Sequence, residues 1–591
     1  MIISRLRQLL TTPIDEDGDR SKQSASILFW LSLSLGFALY YGGLGLQKAF
    51  RAEYIVQDDA REYVFWMQQF VDPTLFPHDL IADYFKSITP PGYAAIYHLM
   101  AFGIQPLLLS KLLPIAIGVV TTLYGFRVCL QLFPIPAAGF IAMLLLNQSL
   151  WFRDDLSSAT PRAFVYPLFL AFLYYLLRRI RLGVMITIVL QALIYPPLVL
   201  ITIAVLFLRL WNCDRWQLHR ERIPDFVLAV GLGFLALLPY VFSSAEFGPI
   251  VTKTEALTMP ELYPGGRHPY FDPNLWRFWL TGQHSGILPP LLPPLIWVGL
   301  GLPIVAQNPS RFPLIRRLNP EVVLLAQTAL ASLGLFFAAH VLLLKLFFPT
   351  RYTTHTWRIV LAIAAAIVLT VLLDAVLLKS IELANSHRWK PLFWRLTLTG
   401  LIGALLILFP SFSPSFPATN YRVSGEGALY QFLQKQPQDS LIATLSDEAN
   451  NIPTFARRSV LIGKEYALPF HLGYYRQIRQ RGMELIEAQY SPDLAVVQQM
   501  IQKYGIDFWL LDRSAFTPGY LLNKSWLQSF QPAFREASAR LEQRTVSALA
   551  KRAKKCSIFE DKSLILLRAD CVAQLNRSEL VEPRQNSNPH S

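Results

Sequence analysis

Residues 57–93 read QDDAREYVFWMQQFVDPTLFPHDLIADYFKSITPPGY. The stretch follows the first long apolar run, is too polar to cross a bilayer, and so must be a loop between spans. It opens on two adjacent carboxylates, Asp58 and Asp59. Tyr63, Phe65, Trp66 and Phe70 follow at helical spacing, a pattern suited to lying in the membrane interface. Asp72, Asp79 and Asp83, with His78 and Lys86 nearby, follow; the three acids read as interface polarity, and Pro90-Pro91-Gly92 ends the segment.

Composition sets the class around this loop. The chain has 591 residues, 53% of them hydrophobic and only 16% charged, with a mean hydropathy of +0.34. Such a chain is a multi-span membrane protein carrying one extramembrane unit. Its net charge of +14 is scattered over short loops, which marks topology and not nucleic-acid binding. Membrane lipids are expected partners and nucleic acid is not.

Basic residues orient the spans. Residues 1–25, with Arg5, Arg7, Arg20 and Lys22, form a cytoplasmic tail before a first span at 26–47, read as an uncleaved signal anchor. The first outer loop is then 48–104, and spans follow at 105–127, 134–151 and 163–178. The run 183–208 is interrupted by Tyr195-Pro196-Pro197. Proline cannot donate to the helix ladder, so two half-length helices are expected there. Further spans fall at 223–243, 287–306, 321–347, 357–378 and 396–411, giving about 11 membrane segments over 26–411. Arginines and lysines at the predicted inner loops agree with this register. The compact loops point to a bacterial plasma (inner) membrane, with the carboxyl end outside.

From 412 to 575 the pattern changes to that of an extracytoplasmic α/β domain. Strand-like runs at 440–445, 459–463, 507–512 and 564–569 alternate with helical runs at 425–435, 470–489, 493–504 and 526–552. Residues 576–591 read as a disordered tail. Cys556 and Cys571 lie 15 apart, and an oxidising compartment would permit a disulfide; two free thiols are the other reading.

Three outer loops carry the candidate chemistry. The first has Asp58 and Asp59. The second, WFRDDLSSATPR at 151–162, has Asp154 and Asp155 flanked by Arg153 and Arg162. The third, PTRYTTHTW at 349–357, has Arg351, Tyr352 and His355. Separated carboxylates supply a general base, or ligands for a divalent ion such as Mg or Mn, with Asp58 and Asp154 as its candidates. A guanidinium binds phosphate oxygens bidentately, so Arg351, Arg153 and Arg162 suit a donor phosphate. A base for an acceptor hydroxyl and a cation for a departing phosphate are what sugar transfer from a lipid phosphate needs.

Acids directly after the first span, an acidic pair in the second outer loop and an outward α/β tail resemble the GT-C class of membrane glycosyltransferases. The class uses polyprenyl-phosphate or polyprenyl-diphosphate sugars and includes the protein mannosyltransferases, the aminoarabinose transferases and the oligosaccharyltransferases. Asp58-Asp59 and Asp154-Asp155 match its loop acids by position. The segment LKLFFPTRYTTH resembles its proline-then-arginine element, and SLIATLSDEANNIPTFARRSVLIG with YGIDFWLLD resembles its tail domains. The resemblance covers about residues 1–180 most closely. It implies a GT-C-like fold and transfer of a sugar from a polyprenyl-phosphate-linked donor on the extracytoplasmic face. The chain departs from the oligosaccharyltransferases in having no Trp-Trp pair, which favours a single-sugar donor.

Blander readings stand beside these. Asp58 and Asp59 would also suit a helix cap, Asp154 and Asp155 would pair with Arg153 and Arg162, and Arg351 would snorkel to headgroups. The alternative functions are a transporter or flippase of lipid-linked solutes and a non-catalytic membrane assembly protein.

Overall fold

A computed structural model describes residues 2–14, 20–212, 217–243, 246–289, 291–387 and 389–574. The expected disordered tail, 576–591, and Cys213 lie outside the described residues.

The chain is a helical membrane protein. Five of its described helices are long and apolar enough to cross a membrane: Ser21–Ala49, Pro106–Leu132, Pro320–Val341, Thr350–Asn385 and Trp389–Phe412. Pro161–Leu177, Arg181–Ile194, Pro197–Leu208 and Pro294–Ala306 are shorter and apolar. The prolines break 183–208 as expected. Arg181–Ile194 stops before Tyr195, and Pro197 opens the next helix, where its missing N–H costs nothing. In the 287–306 run, Pro294–Gly301 is a 3-10 segment and only Leu302–Ala306 is α-helical.

Two expectations are corrected here. The outer turn expected at 349–357 is the start of a helix 36 residues long, Thr350–Asn385. Its polar first turns face protein, so they carry none of the apolar signal that marks a span. The aromatics of the first loop are not an interface belt. Phe65, Trp66, Phe76, Tyr84 and Phe85 are buried in one core with Ile442, Leu510, Tyr466 and Tyr474 from the far end of the chain. A helical aromatic stripe looks the same in sequence whether it meets lipid or protein. Asp79 is likewise structural: its carboxylate caps the helix Leu80–Ile88 by accepting from the Ile81 and Ala82 amides.

A second contact ties the first loop to the chain after the last long helix. Strand Ile55–Gln57 pairs antiparallel with Tyr421–Val423, Val56 opposite Arg422. Beyond it lies a five-stranded mixed sheet in the order Ser459–Val460, Leu441–Thr444, Phe508–Asp512, Leu564–Arg568, Ser557–Glu560. The first three strands are parallel and the last two antiparallel to their neighbours. The edge strand Ser557–Glu560 was not expected from its sequence. The helical run predicted at 526–552 divides into Ala533–Glu542 and Ala548–Cys556, because Ser547 caps a new helix through the Ala550 amide. Cys556 and Cys571 form a disulfide, which closes the edge of the sheet onto the helix Ala569–Ala573.

The shared core yields a test. Phe65→Ala is expected to cost about 3–5 kcal/mol, seen as an early unfolding transition of the detergent-purified protein. A lipid-facing residue would leave that transition in place.

Candidate functional site

Asp58 and Asp59 are adjacent, so their side chains diverge. Asp58 is taken up by Arg61 and by Arg422, the latter at 2.9 Å. Burial would raise its carboxyl, but the Arg422 hydrogen bond and the Arg61 charge outweigh burial and hold it below the usual carboxylate range. Asp59 stands at the N-cap of the helix Ala60–Val64 yet makes no side-chain capping bond. The Gln57 side chain accepts the Ala60 amide instead, leaving the Asp59 carboxylate to reach outward to Arg162.

Arg162 is the junction of the site. It lies in the 3-10 turn Pro161–Phe164, and its Nη2 bonds both Asp59 and, at 2.8 Å, Asp154. Asp154 also accepts from Asn420 at 3.0 Å. Two loops about a hundred residues apart in sequence are thus joined by one guanidinium.

Asp155 has a different fate. It pairs with Arg358, whose side chain is wholly buried, and Arg358 also donates to the Tyr166 hydroxyl at 3.0 Å. Burial works against the Asp155 charge, but Arg358 dominates and holds the carboxyl far below its ordinary value. Sequence reading missed Arg358 because it sits inside an apolar run. The available signal was its spacing: Arg351, His355 and Arg358 at i, i+4 and i+7 share one helix face.

These groups surround two adjoining cavities. The larger, about 400 Å³, is lined by Asp59, Glu62, Arg162, Arg267, His268, His284 and Arg351, with Tyr63, Tyr195, Phe347, Phe348 and Phe470. The smaller, about 300 Å³, is lined by Arg153, Asp154, Asp155, Arg162, His284, Thr350, Arg351 and Thr354. Arg162, Gln283, His284 and Arg351 belong to both. Asp58 lines neither. The larger cavity's wall contains two non-glycine residues in the left-handed region, Leu344 and Phe347 at φ 65° and 61°, a conformation kept only where packing enforces it.

Charge in the cavities is unevenly satisfied. Arg267 bridges Glu62, at 2.8 Å, and Glu465. Burial pushes Glu62 well above the usual carboxylate range, against the pull of Arg267, and Glu465 adds to the rise. Burial also raises Asp59, against Arg162, with Asp154 and Asp58 reinforcing the rise. No ion pair engages Arg153 or Arg351 among the described residues; Arg351 only rests over the Phe347 ring at 5.7 Å. Arg351 occupies the first turn of Thr350–Asn385, where the helix dipole adds positive potential. A phosphate suits that corner.

A divalent ion between Asp58 and Asp154 does not fit this arrangement. Each carboxylate already holds a guanidinium, and among the described residues no group of three His, Cys, Asp or Glu side chains is placed to hold a metal.

No family model and no curated protein matches the chain. Solved structures do. The oligosaccharyltransferase of Archaeoglobus fulgidus, tethered to an acceptor peptide, is similar at a TM-score of 0.52 and 14% identity over 86% of this chain and 72% of that one. The same enzyme, AglB, in complex with an inhibitory peptide and a dolichol-phosphate gives the same values. ArnT from Cupriavidus metallidurans aligns over 92% of this chain and 99% of its own, at a TM-score of 0.43 and 12% identity. The chain has a GT-C-like fold.

The Asp155–Arg358 pair is expected to be a stability element. Asp155→Asn strands a buried guanidinium and should cost about 3–5 kcal/mol, measured by thermal unfolding in detergent. Asp59→Asn, whose carboxylate faces a cavity, should shift the same transition far less.

Proposed function

We propose that this protein is a membrane glycosyltransferase that moves a single sugar from a polyprenyl-phosphate-linked donor to an acceptor on the extracytoplasmic face. One observation carries the reading: Asp59 and Arg351 face a common cavity. A base and a phosphate-binding cation therefore meet where an acceptor and a donor would react. The fold is shared with an enzyme whose structure holds a dolichol-phosphate, and a polyprenyl phosphate is the donor class proposed here. The missing Trp-Trp pair keeps the reading to a single sugar instead of an oligosaccharide. In this scheme the shorter apolar helices complete about 11 segments, and both cavities open on the outer side.

The chemistry follows from the groups present. The Asp59 carboxylate takes the proton of the acceptor hydroxyl as its oxygen attacks the anomeric carbon. The bond from that carbon to the phosphate oxygen breaks, and its electron pair leaves with the phosphate. Arg351, Arg153 and the amino end of Thr350–Asn385 meet the charge that develops there. Arg162 fixes the orientation of Asp59 and ties it to Asp154. The rings of Phe347, Phe348 and Tyr195 offer an apolar approach for the first isoprene units.

Two outcomes test this. Asp59→Asn should lower transfer about 10²–10⁴-fold in purified protein supplied with polyprenyl-phosphate sugars, with folding retained; undiminished turnover would remove Asp59 as the base. The base must be ionised, and burial raises Asp59 above its ordinary 3.8. Activity should therefore fall on acidification with a midpoint above that value. The same shift means that stability declines slightly as pH rises through this window, because the folded state holds the proton more tightly.

A further inference from the structure

A second group of cations sits at the far end of a helix that starts at the site. Val165–Leu177 follows the turn that holds Arg162 and is capped by Arg178, roughly 24 Å further on at 1.5 Å per residue. Its last turn presents Tyr174 and Tyr175 to Tyr124 of Pro106–Leu132. The Tyr124 and Tyr175 hydroxyls bond at 2.9 Å, and the Tyr124 ring centroid lies 5.9 Å from those of Tyr174 and Tyr175. Arg127, about one turn beyond Tyr124, sets its guanidinium 5.9 Å from the Tyr174 centroid. Arg178 follows Tyr174 by one turn, its amide bonded to the Tyr174 carbonyl at 2.9 Å, so the two share a face. Both arginines are exposed and the three tyrosines half-buried. Among the described residues neither arginine has an ion-pair partner.

Apolar surface adjoins these charges. Gly183 lets Arg181–Ile194 lie against the tyrosines, since a Cβ there would stand 2.4 Å from the Tyr175 ring. Leu182, Ile186 and Leu190 then form one stripe at i, i+4 and i+8, exposed by 71, 49 and 39%. On Pro106–Leu132, Val120 is also exposed and shares the face of Tyr124 and Arg127. Guanidiniums take phosphate oxygens, tyrosines favour the headgroup level of a bilayer, and an exposed aliphatic stripe suits acyl chains. A soluble anion would use the first of these and not the last. A zwitterionic headgroup would bring a cation of its own, and Asp225, the carboxylate that meets the start of Arg181–Ile194, is already taken by Arg181 at 3.1 Å. The carboxyl end of a helix by itself favours a cation. That accounts for Arg178 but not for Arg127, which stands more than a turn before the end of its own helix.

We infer that Arg127 and Arg178, with the tyrosines between them, bind the headgroup of one anionic phospholipid, whose acyl chains lie along Leu182, Ile186 and Leu190. Basic pockets between membrane helices hold anionic headgroups in this way. The site stands apart from the proposed transfer reaction. The test is native mass spectrometry of the detergent-purified full-length protein titrated with phosphatidylglycerol or phosphatidylcholine. Phosphatidylglycerol is expected to bind one saturable site about 10-fold more tightly. Arg127→Gln combined with Arg178→Gln should bring the two lipids within about 2-fold of each other. Arg311→Gln should preserve the preference, although Arg311 is likewise exposed and lies 5.6 Å from a ring, that of Phe312. Millimolar inorganic phosphate should not displace the bound lipid. Equal binding of the two lipids by the wild type, a preference that survives the double variant, an equal loss in Arg311→Gln, or displacement by phosphate would each overturn the inference. Should the double variant fail to fold, Arg127→Gln alone decides, with an expected loss of about 5-fold in phosphatidylglycerol binding.

Discussion

The Arg162 guanidinium between Asp59 and Asp154 is the interaction on which the site depends. Without it, two carboxylates from separate loops would face each other across a poorly hydrated wall and repel. With it, they become one rigid unit, and the pattern repeats outward. Arg267 joins Glu62 to Glu465, and Arg61 reaches Asp58 and the Asn451 side chain. Arg422 closes on Asp58 from the strand that pairs with the first loop. Acids and bases alternate, so each charge has a neighbour of opposite sign. Partly buried pairs of this kind add little net stability, and losing one partner is expensive only where no second partner remains; Arg162 would keep Asp154. Their effect is to fix geometry.

That geometry is reinforced by apolar packing. The first loop shares its core with the sheet near the end of the chain, so Asp59 rides on a packed scaffold and not on a free loop. Arg351 is equally fixed, at the start of the longest helix in the described chain. In the proposed reaction, a base and a phosphate-binding cation held on independent rigid elements would stay aligned without reorganisation, which is where most electrostatic catalysis arises. Arg153 and Arg351, which make no ion pair among the described residues, both border the smaller cavity, and Arg351 borders the larger as well, together with Asp59 and the aromatic rings.

Much of this was legible in the sequence, and the limits have physical causes. Prolines at 196 and 197 announced a helix break because proline lacks an amide hydrogen. Acids just beyond apolar runs announced polar groups that would gather, and Asp59, Asp154 and Asp155 do line the two adjoining cavities. Which of Asp58 and Asp59 would enter the cavity was not legible, since adjacent side chains diverge and only partners elsewhere decide. Arg358 was hidden inside an apolar run, where its counter-ion Asp155, from another loop, makes it tolerable. The burial of Phe65 and Trp66 was hidden because amphipathic periodicity records a face but not what covers it. His268 and His284, which line the larger cavity, sit in a loop without periodicity, so no pattern marked them.

The most direct measurement of the central claim is a high-resolution structure of the protein with a non-hydrolysable polyprenyl-phosphate sugar bound. The account predicts the phosphate between Arg153 and Arg351, with the Asp59 carboxylate on the opposite side of the anomeric carbon, within about 2.6–3.2 Å of an attacking hydroxyl or water. A phosphate bound away from Arg351, or an anomeric carbon that Asp59 cannot reach even through one water, would contradict it.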